Sequence, residues 1–141
     1  MRLFLDTSVL LAASGSATGA SREIFRLATQ NFWTLIATPY VVEEVRRNLS
    51  NFPAAAATDW NQLHAELLLM GDVFTADRPA VFTAAKDRPI LFGALAWADV
   101  LLTLDRGDFG ELLGSRFYEL AILTPGQFLT RERTEERLKI D

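Results

Sequence analysis

Four carboxylates, Asp6, Glu44, Asp87 and Asp105, are placed as metal-assisted phosphodiester chemistry needs them. Asp6 ends the apolar run Leu3-Phe4-Leu5, and Asp105 ends Val100-Leu101-Leu102-Thr103-Leu104. Both runs read as short buried strands, so each acid emerges at the carboxyl end of a strand, the edge where open parallel α/β sheets bind ligands. Carboxylates gathered there without basic partners repel one another, and a bound Mg²⁺ or Mn²⁺ is the usual remedy. Such a cation lowers the pKa of a bound water and shields charge on the departing oxygen. No side-chain nucleophile is required, which suits a chain with no cysteine and one histidine, His64.

The elements that must hold these acids alternate. A strand over Leu3–Leu5 leads into a helix opening at Thr7-Ser8, and the small residues from Ser14 to Gly19 read as a loop. Ser21 is placed to cap a second helix carrying Ile24, Phe25, Leu27 and Ala28, and Trp33–Ala37 reads as a strand. Thr38-Pro39 opens a helix with the stripe Val41, Val45 and Leu49. A longer helix is expected from Ala54 to Met70, with Trp60, Leu63, Leu67 and Met70 on one face. Val73-Phe74 reads as a short strand, Pro89–Trp97 as a helix, Val100–Leu104 as a strand. After a loop and a helical turn near Gly107 comes a last strand, Leu120–Leu123; the mixed charges of Arg131–Lys139 read as a solvated helix or tail. The alternation predicts βαβ units and a mainly parallel sheet.

Each acid also has an ordinary explanation. Asp6 and Asp87 are both good helix N-caps, Asp87 the more so because Pro89 follows in the first turn. Against a mere cap at Asp6, Thr7 and Ser8 would cap equally well, and a charge after a buried strand needs a reason. Glu44 borders the apolar stripe more closely than Glu43, and the choice between them stays open on spacing alone. Asp105 precedes Arg106-Gly107-Asp108, where a plain turn also favours Asp. Asp99 fits a helix-to-strand turn and is a second-tier candidate. His64 reads as a surface or core-edge residue.

Composition narrows the function classes. The 141 residues make one domain able to bury a core, half of them hydrophobic and 23% charged. The lack of cysteine excludes disulfides, thiolate metal sites and cysteine nucleophiles, and a single histidine excludes multi-histidine zinc sites. No run approaches the ~18 apolar residues of a membrane span, and the early Asp6 does not suit a signal peptide, so a cytoplasmic location is expected. The net charge of −4 argues against a broad basic surface for nucleic acid, but the four site acids alone account for it. Local arginines remain for phosphates, with Arg22, Arg46, Arg47, Arg88 and Arg106 as the rim candidates.

Five stretches in order resemble the PIN domain family, specifically the toxin components of VapBC-like type II toxin–antitoxin pairs. They are Leu3-Phe4-Leu5-Asp6-Thr7-Ser8-Val9-Leu10, Tyr40-Val41-Val42-Glu43-Glu44-Val45, Lys86-Asp87-Arg88-Pro89-Ile90-Leu91, Ala98-Asp99-Val100-Leu101-Leu102-Thr103-Leu104-Asp105 and Ala121-Ile122-Leu123-Thr124-Pro125. Ser14–Phe25 is similar to a loop and helix in one branch of the family. The resemblance favours Glu44 over Glu43. One departure is Ser8, where many members carry Asn; serine keeps a polar oxygen there.

The resemblance implies an α/β fold, a three-layer α/β/α sandwich with a parallel sheet of about four or five strands. It implies Mg²⁺- or Mn²⁺-dependent cleavage of RNA, a homodimer and neutralisation by a cognate antitoxin. Asp6, Asp87 and Asp105 would meet the metal with Glu44 completing the set, while Ser8, Thr103 and Asp99 would orient carboxylates or water. Residues 1–130 would form the nuclease domain and 131–141 a charged C-terminal tail or helix end. Three alternatives stand beside this reading: a PIN-type scaffold that cuts nothing, a nuclease acting on DNA or on a structured nucleic acid, and phosphotransfer through an aspartyl phosphate. The last wants a second Asp two residues after the first, where this chain has Ser8.

Overall fold

A computed structural model describes residues 1–73 and 87–140. Six strands form one sheet: β1 (Arg2–Leu5), β2 (Thr34–Ala37), β3 (Leu68–Leu69), β4 (Val100–Leu102), β5 (Ser115–Phe117) and β6 (Leu120–Leu123). Their spatial order is β3-β2-β1-β4-β6-β5. The first five in that order run parallel, and only β5 joins antiparallel, beside β6. Seven helices accompany the sheet among the described residues: α1 (Thr7–Gly15), α2 (Ala20–Ala28), α3 (Pro39–Asn48), α4 (Ala55–His64), α5 (Arg88–Trp97), α6 (Arg106–Phe109) and α7 (Pro125–Thr134). The expected three-layer α/β/α sandwich is the observed architecture, with five parallel strands and one antiparallel edge.

The apolar runs become central strands because both faces of such a sheet are covered by helices. Leu3, Phe4, Leu5, Leu101 and Leu102 are wholly buried. On the sheet α5 packs over β1 and β4, and α7 over β6 and α2. Gly93 permits the first of these contacts: a β-carbon there would lie 3.2 Å from the Phe4 ring and 3.5 Å from the Thr38 methyl.

Parallel connectivity sends the carboxyl ends of β1, β2, β3, β4 and β6 to the same edge, and helices begin there. Asp6 caps α1 after β1, Thr38 precedes α3 after β2, Asp105 caps α6 after β4, and Thr124 caps α7 after β6. Thr124 and Gln127 make a reciprocal capping box.

Several expectations meet a different structure. The helix expected to reach Met70 ends at His64, and Leu68–Leu69 instead pairs with Ile36–Ala37. Leucine and methionine are good helix formers, but β2 has an open edge there, and Met70 N also donates to Ala37 O at 2.9 Å. The hairpin partner β5 was not foreseen, because Ser115-Arg116-Phe117 is short and polar. The C-terminal stretch is more than a solvated tail: Glu132 on α7 is buried, and Lys139 exchanges backbone hydrogen bonds with the Asn31 side chain at 2.7 and 2.8 Å. The division drawn after residue 130 falls within α7. Ser21 does not cap α2; Gly19 holds that position and Ser21 is buried one residue inside the helix start. Phe74 and Lys86 lie outside the described residues, and Val73 is not in a strand.

Candidate metal centre

The carboxyl edge carries two neighbouring sets of acids. The first is centred on Asp6, only 4% exposed at the end of β1. Its Oδ1 accepts from Thr7 N at 2.7 Å, closing the cap of α1. Its Oδ2 accepts from two hydroxyls, Ser8 Oγ at 2.9 Å and Thr103 Oγ1 at 2.6 Å. Both hydroxyls also accept from the loop after β4: Leu104 N donates to Ser8 Oγ and Asp105 N to Thr103 Oγ1, each at 3.0 Å. Beside this knot Thr7 Oγ1 donates to Glu44 Oε1 at 2.8 Å, which brings α3 against the start of α1. Glu43 faces solvent and pairs with Arg47 at 3.7 Å, so the structure puts Glu44, not Glu43, at this edge.

Burial pushes the Asp6 carboxyl up to about 6; the hydrogen bonds from Thr103, Ser8 and Thr7 pull the other way, and the nearby Glu44 charge adds to the rise. All of its partners are neutral donors, and they offset only part of the desolvation.

The second set is Asp87, Asp105 and Asp108, each offering a carboxylate oxygen, with all three oxygens within 4.8 Å of one another. Asp87 is 5% exposed at the start of α5, while Asp105 and Asp108 are half-buried on the first turn of α6. Asp105 Oδ1 accepts from Asp108 N at 2.9 Å, so capping of that short helix turns the two aspartates toward the same place. Three hard oxygen donors without soft or nitrogen ligands fit Mg²⁺ or Mn²⁺. Thr103, wholly buried, joins the two sets.

Of the residues singled out in the sequence, Asp87 and Asp105 come together in the triad, and Asp6, Glu44, Ser8 and Thr103 form the adjoining knot. Asp6 and Glu44 are not members of the triad. Asp99 is not brought to the site at all: it stands before β4, at the opposite end from Asp105, where its Oδ2 accepts from Arg2 N at 2.8 Å. Arg22 is committed elsewhere, with Nε on Ala13 O at 2.7 Å and a terminal nitrogen on Asp59 at 2.9 Å. Asp108 was missed as a site residue. Its signal was a second aspartate three positions after a strand-end acid, which turn chemistry explains equally well.

No family model matches the chain, and no curated protein matches it in sequence. Among solved structures it is similar to a chain in the crystal structure of VapBC2 from Rickettsia felis bound to a DNA fragment from their promoter. The TM-score is 0.60 at 15% identity, over 86% of this chain and 97% of the other. At that identity the likeness speaks for the fold: the chain folds as a PIN-like α/β/α sandwich with an aspartate cluster at the carboxyl edge of its sheet.

Proposed function

We propose that the protein is a Mg²⁺- or Mn²⁺-dependent endoribonuclease, the toxin of a toxin–antitoxin pair, which hydrolyses RNA phosphodiester bonds. The observation that carries this reading is the convergence of Asp87, Asp105 and Asp108 at the carboxyl edge of a parallel sheet. It gains support from the fold shared with a chain of the VapBC2 complex. Asp87, Asp105 and Asp108 would hold the cation. Bound there, the cation supplies an acidified water and neutralises charge on the phosphate. Glu44, held by Thr7 Oγ1, is the nearby carboxylate able to accept a proton or orient a water. The amino termini of α1, α3, α5, α6 and α7 turn their positive ends toward this edge, which moderates repulsion among the acids and suits an anionic substrate. Exposed Arg88 and Arg106 stand next to Asp87 and Asp105, where a phosphate backbone would pass.

The proposed partners are a small antitoxin that occludes this edge and a second copy of the chain. The structural neighbour comes from a VapBC2 complex bound to promoter DNA, which supports a partner of the former kind.

The test is incubation of the purified protein with total RNA and, in parallel, single- and double-stranded DNA, with Mn²⁺ and then with chelator. Discrete RNA cuts that vanish with chelator and in Asp105→Asn support the proposal. Cuts confined to DNA would replace RNA as the substrate. Cuts that persist in Asp105→Asn would remove the triad from the chemistry, and absence of cutting in every pool would leave the scaffold reading in its place.

A further inference from the structure

Three consecutive residues after β3 are each tied to a different element. Met70 N donates to Ala37 O at the end of β2 at 2.9 Å. Gly71 O accepts from Nε1 of Trp97, the last residue of α5, at 2.9 Å. Asp72 Oδ1 accepts from Tyr40 N in the first turn of α3 at 3.1 Å. The turn is therefore fixed to β2 and α5 before its half-buried aspartate reaches α3.

The tie to α3 takes the place of a local cap. Pro39 has no N–H, so Tyr40 N is the first donor that the helix presents. Thr38 stands at the N-cap with extended backbone and a hydroxyl, the kind of side chain that normally takes such a donor. It makes no cap bond, and its Oγ1 is buried without a hydrogen-bond partner among the described residues. A cap from Thr38 would seat α3 on its own strand only. The cap from Asp72 also sets it against α5, the helix that begins at Asp87.

Glu44 lies four residues after Tyr40, one turn along the same face of α3. From there its Oε1 accepts from Thr7 Oγ1 at 2.8 Å. The setting of the first turn of α3 therefore decides where Glu44 stands. We propose that Asp72 is a positioning residue for Glu44: from a turn fixed to β2 and α5, it sets the start of α3 and so holds that carboxylate at the acid edge. The inference rests on the nuclease reading above for the task of Glu44, and on the hydrogen-bond pattern for its placement. It gives a role to an acid that no motif in the sequence marks, 32 positions from the amide it caps.

The experiment uses the full chain as wild type, Asp72→Ala, Asp72→Asn, Trp97→Phe, Thr7→Val, Glu44→Gln, and Asp72→Ala combined with Glu44→Gln. It reads hydrogen exchange at the Tyr40 amide and the ¹³C signal of the Glu44 carboxyl. It also reads kcat and KM on an RNA oligonucleotide spanning a site that wild type cuts in total RNA. Asp72→Ala should speed exchange at Tyr40 and move the Glu44 signal in the direction set by Thr7→Val, which removes the hydroxyl from that carboxylate. It should lower kcat roughly 10- to 100-fold, the scale of an ångström-sized misplacement, with KM within about twofold of wild type. Asp72→Asn keeps the accepting oxygen and should restore slow exchange and most of kcat. Adding Asp72→Ala to Glu44→Gln should slow the reaction no further, because a positioning residue acts only through the group it places.

Losses that multiply in the combined variant would overturn the proposal, because Asp72 would then reach the reaction by another route. So would a Glu44 signal that stays in place in Asp72→Ala, or a kcat as low in Asp72→Asn as in Asp72→Ala. If wild type cuts no RNA, the nuclease reading falls by itself, while Tyr40 exchange and the Glu44 signal still decide whether Asp72 sets that carboxylate. If Asp72→Ala does not fold, Trp97→Phe carries the test, since it frees Gly71 O and with it the turn. It should shift exchange and the Glu44 signal the same way by less, and no change in either would overturn the proposal.

Discussion

Two of the carboxylates that the molecule buries lie near opposite edges of its sheet, and they are treated in opposite ways. Asp6 at the carboxyl edge and Glu132 on α7 are 4% and 2% exposed. Glu132 is met by two cations: Arg131 Nε lies 3.4 Å away and Arg137 Nε 3.2 Å away, with a second Arg137 nitrogen closer still. Burial alone would raise its pKa, but Arg137 and then Arg131 more than offset this and hold the carboxyl below its usual range. Asp6 has only neutral donors and ends near 6. Hydroxyls and amides locate a buried carboxylate; guanidinium groups also neutralise it. Asp6 is thus located by its neighbours without being neutralised, whereas Glu132 is both located and neutralised by arginines of its own chain.

The sharpest way to break the contrast is to make Glu132 resemble Asp6. Replacing Arg131 and Arg137 together by Met leaves a buried carboxylate unpaired, which should cost about 3–5 kcal/mol at pH 7 by chemical denaturation. In wild type, Glu132 contributes stability above the ordinary carboxylate range, and this is lost as pH falls through its lowered value. In the double variant burial acts alone, the sign reverses, and part of the loss should return on acidification. An equal loss at all pH values would mean that packing by the arginine stems matters more than their charge.

Next in size, Asp87→Asn should weaken Mn²⁺ by roughly a hundredfold or more, about 2.7 kcal/mol, because under the proposed function it removes a direct donor. Calorimetric titration checks this; retained affinity would exclude Asp87 from the cation set.

Asp6→Asn should do the reverse of the arginine replacement and stabilise the metal-free protein. The folded-state value near 6 lies above the ordinary 3.8, so ionisation costs stability as pH rises from about 4 through 6, and the whole cost is present above that. Asparagine keeps an acceptor for Thr7 N and removes the charge. A gain of about 1–3 kcal/mol is expected at pH 7.5 with chelator, and little or none at pH 3.5. Thermal unfolding at the two pH values measures it, and a gain of equal size at both would assign the effect to something other than charge.

The smallest effect belongs to Arg22. It binds Ala13 O near the carboxyl end of α1 and Asp59 on α4, away from the acid edge. Arg22→Met should cost about 1 kcal/mol and leave Mn²⁺ affinity and any RNA cleavage unchanged. A raised KM for RNA with stability intact would return Arg22 to the phosphate rim.

Much of this was legible in the chain. Runs such as Leu3-Phe4-Leu5 and Val100-Leu101-Leu102 have to be covered on both sides, and Pro39, Pro89 and Pro125 mark helix starts. The direction of β4 also separates Asp99 from Asp105: one precedes the strand and the other follows it, so they stand at opposite edges. What stayed hidden depends on partners distant in sequence. Leu68-Leu69 is helical by propensity and a strand only because β2 has a free side. Asp108 looks like a turn residue until Asp87 is brought opposite by α5. The tie between Ser8 and Leu104 spans 96 positions, and no local pattern announces it.

Gly93 lets α5 lie close against Phe4 of β1 and against Thr38. Adding one methyl group would meet the Thr38 methyl in ordinary contact at 3.5 Å but press on the Phe4 ring at 3.2 Å, less than two turns from the acid at which α5 begins. Where the buried Phe4 ring does not give way, the helix has to lift or tilt instead, and Asp87 rides with it away from Asp105 and Asp108. The gap across which those oxygens face one another is thus set by an empty volume on the underside of a helix. A change there would be felt first as a wider spacing of those oxygens, in a chain whose acids are all still in place.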